Sequence, residues 1–213
     1  MSSAFGLGTR PLPPQGYSRP MPNRIVLIAA LFFATPGLAP TAPAANPDLV
    51  PVEIDTSLGK IVIALDQKHA PLTTANFLRY VDAHKFDDTT FYRAMPYGNG
   101  GLIQGGIRDA RKLNPPVAFE SSDQTGIHNT TGAIAMAANA PGDAQSDFFI
   151  ETTNIPAFDG ANGFAAFGHV MEGMDVVKQI LSAPTSPTEG EGVMKGQMLD
   201  PPVKILKMER VAK

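Results

Sequence analysis

The sequence predicts a mainly β fold, a closed barrel or a sandwich, and three observations carry that expectation. Short runs rich in β-branched and aromatic residues recur between glycines and asparagines from residue 52 onward. Only two segments show helical spacing, too few for the regular crossovers of a parallel sheet. The closing segment "PPVKILKMERV" alternates from Val203, as a strand that seals a barrel seam would.

Taken in chain order, "VEIDTSLGKIVIALD" at 52–66 holds two strand-like runs split by Ser57-Leu58-Gly59, which reads as a β-hairpin. "APLTTANFLRYVDAHKF" follows, with Pro71 suited to a first helical turn and Leu72, Ala75, Leu78, Tyr80 and Val81 at roughly helical spacing. Further strand-like runs lie at 90–94, 102–104, 132–136, 147–151 and 164–170. A second helix, "MDVVKQILSA", begins at Met174 behind Gly173, and the Pro/Gly-rich stretch 184–202 reads as a long surface loop. There is no repeat of fixed period.

A chain of 213 residues allows one domain plus appendages. With 43% apolar and 17% charged residues, its composition excludes a disordered or collagen-like chain. The net charge is −3, and because Arg10, Arg19 and Arg24 are the charged residues before position 45, the rest carries −6. Such a balance gives nucleic acid nothing to bind by bulk electrostatics. The absence of cysteine excludes disulfides, thiolate metal sites and lipid attachment through a thiol.

The N-terminus reads as an address. From Met21 an arginine precedes an apolar run, Ile25 to Ala34, and then small residues and prolines, the three-part pattern of a secretory signal. Ten apolar residues are half of the about 20 that a spanning helix needs, so no stable membrane anchor is expected after cleavage. Ala42-Pro43-Ala44 places the cut before Ala45, and residues 1–20 read as an extension upstream of a start at Met21. The expected organisation is therefore an extension and signal at 1–44, a linker at 45–51 and a domain at 52–213, with a periplasmic or secreted location.

Metal and nucleophile chemistry find no anchor. His69, His84, His128 and His169 lie far apart without ligand spacing, and neither a G-x-S-x-G elbow nor a phosphate-binding glycine loop occurs. What remains is Arg93 on a strand and Gln104 before a Gly-Gly pair that lets backbone approach closely. Each alone would pass for a solvated arginine and a turn.

Their order changes the reading. Together with "GKIVIALDQKHAPLTTANFLRYVDAHKFDDTTFYR", "LIQGG", "TGAIAMA", "SDFFI", "FAAFGHVMEGMDVVKQI" and "VKILKMERV", residues 52–211 resemble the cyclophilin-type peptidyl-prolyl cis-trans isomerase family, in the manner of an exported bacterial member. The resemblance implies a closed eight-stranded antiparallel barrel capped by two α-helices, its interior filled and its groove outside. It further implies isomerisation of X-Pro bonds in proline-containing polypeptides by a monomer, without cofactor or metal. Arg93 falls on the family's essential arginine and Gln104 on the glutamine that holds the substrate carbonyl. Phe149 falls on the wall of the proline pocket, with Leu102, Met136, Ala137, Phe158 and Phe164 around it and Tyr92 and Asp147 beside the arginine.

Several positions depart from the family pattern. Tyr92 stands where histidine is common, Phe164 replaces a histidine, Gly101 and Ala157 stand where aromatic residues are usual, and ten residues separate Arg93 from Gln104, a longer spacing than the familiar one. Asp147 stands where glutamine is usual, and a carboxylate there either orients the Arg93 guanidinium or competes for its donors. A binding module that grips proline segments with little turnover is the alternative to an enzyme.

Overall fold

The computed structural model describes residues 46–211; residues 1–45, which contain the expected signal and its cleavage point, and 212–213 lie outside the described residues. The chain runs through β1 (Leu49–Thr56), β2 (Gly59–Asp66), α1 (Pro71–Asp82), β3 (Thr90–Tyr97), β4 (Gly100–Gly106) and α2 (Ser122–Thr125). It continues with β5 (Ala133–Met136), β6 (Phe148–Glu151), β7 (Ala166–Glu172), α3 (Met174–Leu181), β8 (Thr185–Ser186) and β9 (Met198–Arg210). Hydrogen bonding follows β1-β2-β7-β5-β6-β4-β3-β9 and returns to β1, so eight antiparallel strands close a barrel while the two-residue β8 pairs with β9. The two expected helices are α1 and α3; α2 is a single turn that hydrophobic spacing could not register.

The observed elements depart from the sequence reading in places, with β8 and the start of β9 at Met198 lying inside the stretch 184–202 expected as a loop. Residues 49–51, expected in the linker, belong to β1, because β2 extends to Asp66 and offers Leu49, Val50 and Pro51 ladder partners. The helical face of α1 is rotated: Leu72 is exposed, and the buried side is Thr73, Thr74, Asn76, Phe77, Leu78, Tyr80 and Val81. The bulk of Phe77 and Tyr80 decides that orientation.

The barrel is a packed core. Alternation along the strands sends Ile54, Ile61, Ile63, Leu65, Ile103, Ile134 and Ile150 inward, each wholly buried. One end is closed by rings, with Phe77 of α1 meeting Phe148 edge-on at 5.3 Å and Phe86 at 4.9 Å. Each fully buried ring contributes roughly 1.5–3 kcal/mol of apolar transfer. A filled interior leaves the outer surface for any site.

The long connection between β4 and β5 is tied down by polar contacts. Ala70 gives α1 no side-chain cap, and Glu120 from that connection accepts from Leu72 N at 3.1 Å, Thr73 N at 2.7 Å and Thr73 Oγ1 at 2.7 Å. A distant carboxylate thus satisfies the orphan donors of the helix and meets the positive end of its dipole. Asn76 Nδ2 donates to Gln145 O at 2.7 Å, and Gln145 Nε2 to Asn114 O at 2.8 Å, which fixes the segment before β6.

Candidate functional site

Strand parity builds the site. In "SDFFI", Phe148 points into the barrel and Phe149 out of it, where Leu102, Ala135, Ile155 and Ala166 form a second apolar cluster separate from the core. Phe149, Phe158 and Phe164 pack edge to face, with centroids 5.7, 5.3 and 4.7 Å apart. They wall one end of a groove of ≈ 710 Å³, which Tyr92, Arg93, Leu102, Gln104, Ala137 and Asp147 also line. Met136 is the exception among the expected wall residues: it is 1% exposed and packs in the barrel core. It pairs with Phe148, and Ala135 with Phe149, so parity turns Met136 inward.

Arg93 and Gln104 are direct cross-strand partners in the β3–β4 hairpin, which is how residues eleven apart come side by side. The extra residues lengthen this hairpin to a turn at Gly98-Asn99. Gly101 lies opposite Pro96 with φ +153, and a Cβ there would collide with the Met95 carbonyl, so this backbone admits no aromatic at 101. Met95 and Leu102 line the groove instead. Ala157 is exposed on the turn that carries Phe158.

The guanidinium of Arg93 is held by two amide oxygens. Nη1 donates to Gln104 Oε1 at 2.8 Å, while Nε and Nη2 donate to Gln197 Oε1 at 2.9 and 2.7 Å. Each amide is fixed at its other end: Gln197 Nε2 donates to Val193 O at 2.8 Å, and Gln104 Nε2 to Tyr92 Oη at 2.7 Å. Three of the five N–H groups are thereby used, which leaves one on each terminal nitrogen for the groove. Burial lowers the Arg93 pKa, but a guanidinium starts high enough to remain charged.

Gln197 was not legible as a site residue. The stretch 184–202, expected as a surface loop, swings back so that Gln197 O accepts from Ala94 N at 2.9 Å and Val193, Met194 and Met198 form a wall. The structure therefore makes this loop part of the groove.

Asp147 does not pair with Arg93. Its Oδ2 accepts from Tyr92 Oη at 2.9 Å and lies 3.8 Å from Arg108 Nη1, whose guanidinium carbon stands 4.6 Å from the Tyr92 ring centroid. Burial raises the Asp147 pKa, and the Tyr92 hydroxyl and Arg108 pull against that rise. The Tyr92 pKa is raised too, by burial first and then by the Asp147 charge. The second glycine of "LIQGG" makes room: Gly106 has φ +150, and a Cβ on it would collide with Asp147 Oδ1.

Behind the aromatic end, Asn129 anchors the segment that carries Phe158 and Phe164. Its N and Nδ2 both donate to Asp159 Oδ1 at 2.8 Å, and Nδ2 also to Phe158 O at 2.9 Å. Glu151 is 0% exposed, with neither carboxylate oxygen partnered, and Asn129 Oδ1 is likewise unpaired. Burial, with the charge of Asp159 added, pushes the Glu151 pKa up to about 8. Sequence reasoning missed it because alternation places Glu151 on the outer face, where a glutamate reads as solvated.

A closed antiparallel barrel with a packed interior carries its candidate site outside, an aromatic pocket with a pinned arginine beside it. The comparisons give the family. Residues 51–210 match the model of the cyclophilin-type peptidyl-prolyl cis-trans isomerases, and the chain belongs to that family. A peptidyl-prolyl cis-trans isomerase of Acinetobacter baylyi is 36% identical over 166 residues, covering 74% of this chain and 84% of the relative. Peptidyl-prolyl cis-trans isomerase B of Escherichia coli is 34% identical over 145 residues, covering 63% and 85%. In fold, a crystal structure of a Cryptosporidium parvum cyclophilin-type isomerase superposes with a TM-score of 0.63 at 19% identity, covering 78% of this chain and 99% of that one. As a cyclophilin-type isomerase the protein acts on proline-containing polypeptides.

Proposed function

We propose that the protein is an exported isomerase that speeds X-Pro interconversion during the folding of periplasmic or secreted proteins, with Arg93 stabilising the twisted amide. The X-Pro bond resists rotation because its partial double-bond character raises a barrier of about 18–20 kcal/mol. At the top of that barrier conjugation is lost, and the proline nitrogen gains a lone pair that the planar amide lacks. A donor placed there binds the transition state better than either ground state.

The observation that carries this reading is the geometry at Arg93: a charged guanidinium with two unused N–H groups, pinned by Gln104 and Gln197 beside the Phe149–Phe158–Phe164 pocket. The pocket takes the pyrrolidine ring by apolar burial. Gln104, 7% exposed, keeps one amide N–H for the substrate carbonyl after donating to Tyr92. Export rests on the apolar run Ile25–Ala34 and on Ala42-Pro43-Ala44. The groove is complete within one chain, in keeping with a monomer.

A protease-free isomerisation assay on a short Xaa-Pro peptide tests the mechanism. Arg93→Ala is expected to lower kcat/KM about a hundredfold with the fold intact, and Arg93→Lys to lose most of that as well, because a point ammonium cannot replace a planar fork of donors. Unchanged turnover in a folded Arg93→Ala protein refutes the assignment. The second reading, a proline-binding module, draws on the reduced wall at Gly101 and Ala157 and predicts peptide binding without turnover in the wild type.

A further inference from the structure

Tyr92 and Asp147 both depart from the family pattern, and the fold puts them in contact: Tyr92 Oη donates to Asp147 Oδ2 at 2.9 Å. An ionised carboxylate only accepts, so the hydroxyl proton is committed to Asp147 and the phenol oxygen faces Gln104 as an acceptor. Gln104 must then present its nitrogen to Tyr92, at 2.7 Å, and its oxygen to Arg93, at 2.8 Å. Each bond fixes the direction of the next. We propose that Asp147 is a positioning residue: through Tyr92 it locks the Gln104 amide with its oxygen toward Arg93, and protonation of Asp147 releases that lock.

The release has a definite chemistry. A protonated Asp147 can donate to Tyr92 Oη, the hydroxyl proton then turns toward Gln104, and the amide satisfies it by flipping its oxygen to Tyr92. The flipped amide presents N–H groups to a cation and Arg93 loses an acceptor, so the guanidinium is held by Gln197 alone. Gly106 keeps the relay in register, because any side chain there would displace Asp147.

The groups that face Asp147 are Tyr92 from β3, Arg108 from the segment after β4, Tyr80 of α1 at longer range and its own neighbour Ser146. Burial raises the pKa of both tyrosines, so an acid-side transition at this site belongs to Asp147. With its pKa raised by burial, the transition falls above the ordinary carboxylate value of 3.8.

This inference rests on the isomerase reading, and two readouts separate their failures. In the full chain, kcat on an Xaa-Pro peptide should fall about tenfold as pH drops through the Asp147 transition, with KM little changed and the fold verified by circular dichroism. Asp147→Asn, neutral at every pH and, like the protonated carboxyl, able to donate to Tyr92, should lose the acid limb and run about tenfold slower throughout; Tyr92→Phe should do the same. The double variant should be no slower than Tyr92→Phe alone. By nuclear magnetic resonance, the Gln104 side-chain amide should titrate with the same midpoint in wild type and stay fixed in Asp147→Asn, whatever the turnover. Titrating Gln104 signals in a protein without turnover would uphold the relay and sink the isomerase mechanism. Pairing a wild-type acid limb with an identical limb in Asp147→Asn, or finding static Gln104 signals in wild type, overturns the proposal.

Discussion

Glu151→Gln replaces a wholly buried, unpartnered carboxyl by a neutral side chain of nearly the same shape. Burial raises the folded-state pKa from the ordinary 4.5 to about 8. A carboxyl with a raised pKa binds its proton more tightly in the folded protein than in the unfolded chain. Between pH 4.5 and about 8 the folded state keeps a proton that the unfolded state has released, so stability falls as pH rises, by about 1.4 kcal/mol per pH unit. Across the whole window the loss is roughly 5 kcal/mol, a large part of the ~5–15 kcal/mol that holds a domain together. Above pH ~8 both states are ionised and the loss is complete.

The glutamine variant lacks this titration. Urea unfolding followed by circular dichroism, run for both proteins from pH 5 to 9, should give a wild-type curve that declines relative to the variant through pH ~8 and then runs parallel to it. Titrations common to both proteins cancel in the difference, which also removes the constant cost of burying an extra amide donor. A difference independent of pH would refute the account, since it would mean that Glu151 finds a partner or water in solution. Because the folded protein keeps this carboxyl, close to the Asp159 charge, protonated until about pH 8, KM for Xaa-Pro peptides should stay flat below that pH and rise only as pH passes ~8, in wild type only.

Two further predictions concern the groove. Gln197→Ala removes the acceptor of Arg93 Nε and Nη2 and should lower kcat about tenfold while leaving KM near the wild-type value; an equal rise in KM would place Gln197 in binding instead. Phe158→Ala opens the pocket beside Phe149 and Phe164 and should weaken peptide binding by about 1–3 kcal/mol, seen in KM by the isomerisation assay. An unchanged KM would show that the proline ring does not rest on Phe158.

What the sequence could reveal was governed by distance along the chain. The β1–β2 hairpin was legible because Ser57-Leu58-Gly59 lies between two alternating runs, and the pairing of Thr56 with Gly59 closes it there. Phe148 and Phe149 were separable by parity, and the same parity, carried across to "AIAM", puts Met136 inside. The signal for Met136 was present and its neighbours' motif outweighed it. Glu151 and Gln197 carried no local signal. A glutamate at a strand end reads as solvated although the fold buries it wholly, and a glutamine in a Gly/Pro-rich loop reads as a connector until the loop returns to β3. The link between Asp147 and Tyr92, 55 residues apart, is set by the approach that Gly106 permits.

The choice between enzyme and binding module turns on where organisation is placed. A protein that merely grips proline segments needs an aromatic pocket and backbone donors and acceptors, because a planar X-Pro nitrogen carries no lone pair available to a donor. The Phe149–Phe158–Phe164 wall would serve it alone. Here a half-buried arginine is also held in one orientation by two amide oxygens, each amide anchored in turn, and burial works against the charge so held. Desolvating and immobilising a guanidinium costs free energy that gives a planar ground state little in return. Under the proposed mechanism the cost would be recovered at the twisted amide, where a lone pair appears and a donor already in place would need no reorganisation to meet it. Arg93, Gln104 and Gln197 therefore favour turnover over grip, and shortened aromatic walls at Gly101 and Ala157 bear on how tightly a peptide is held.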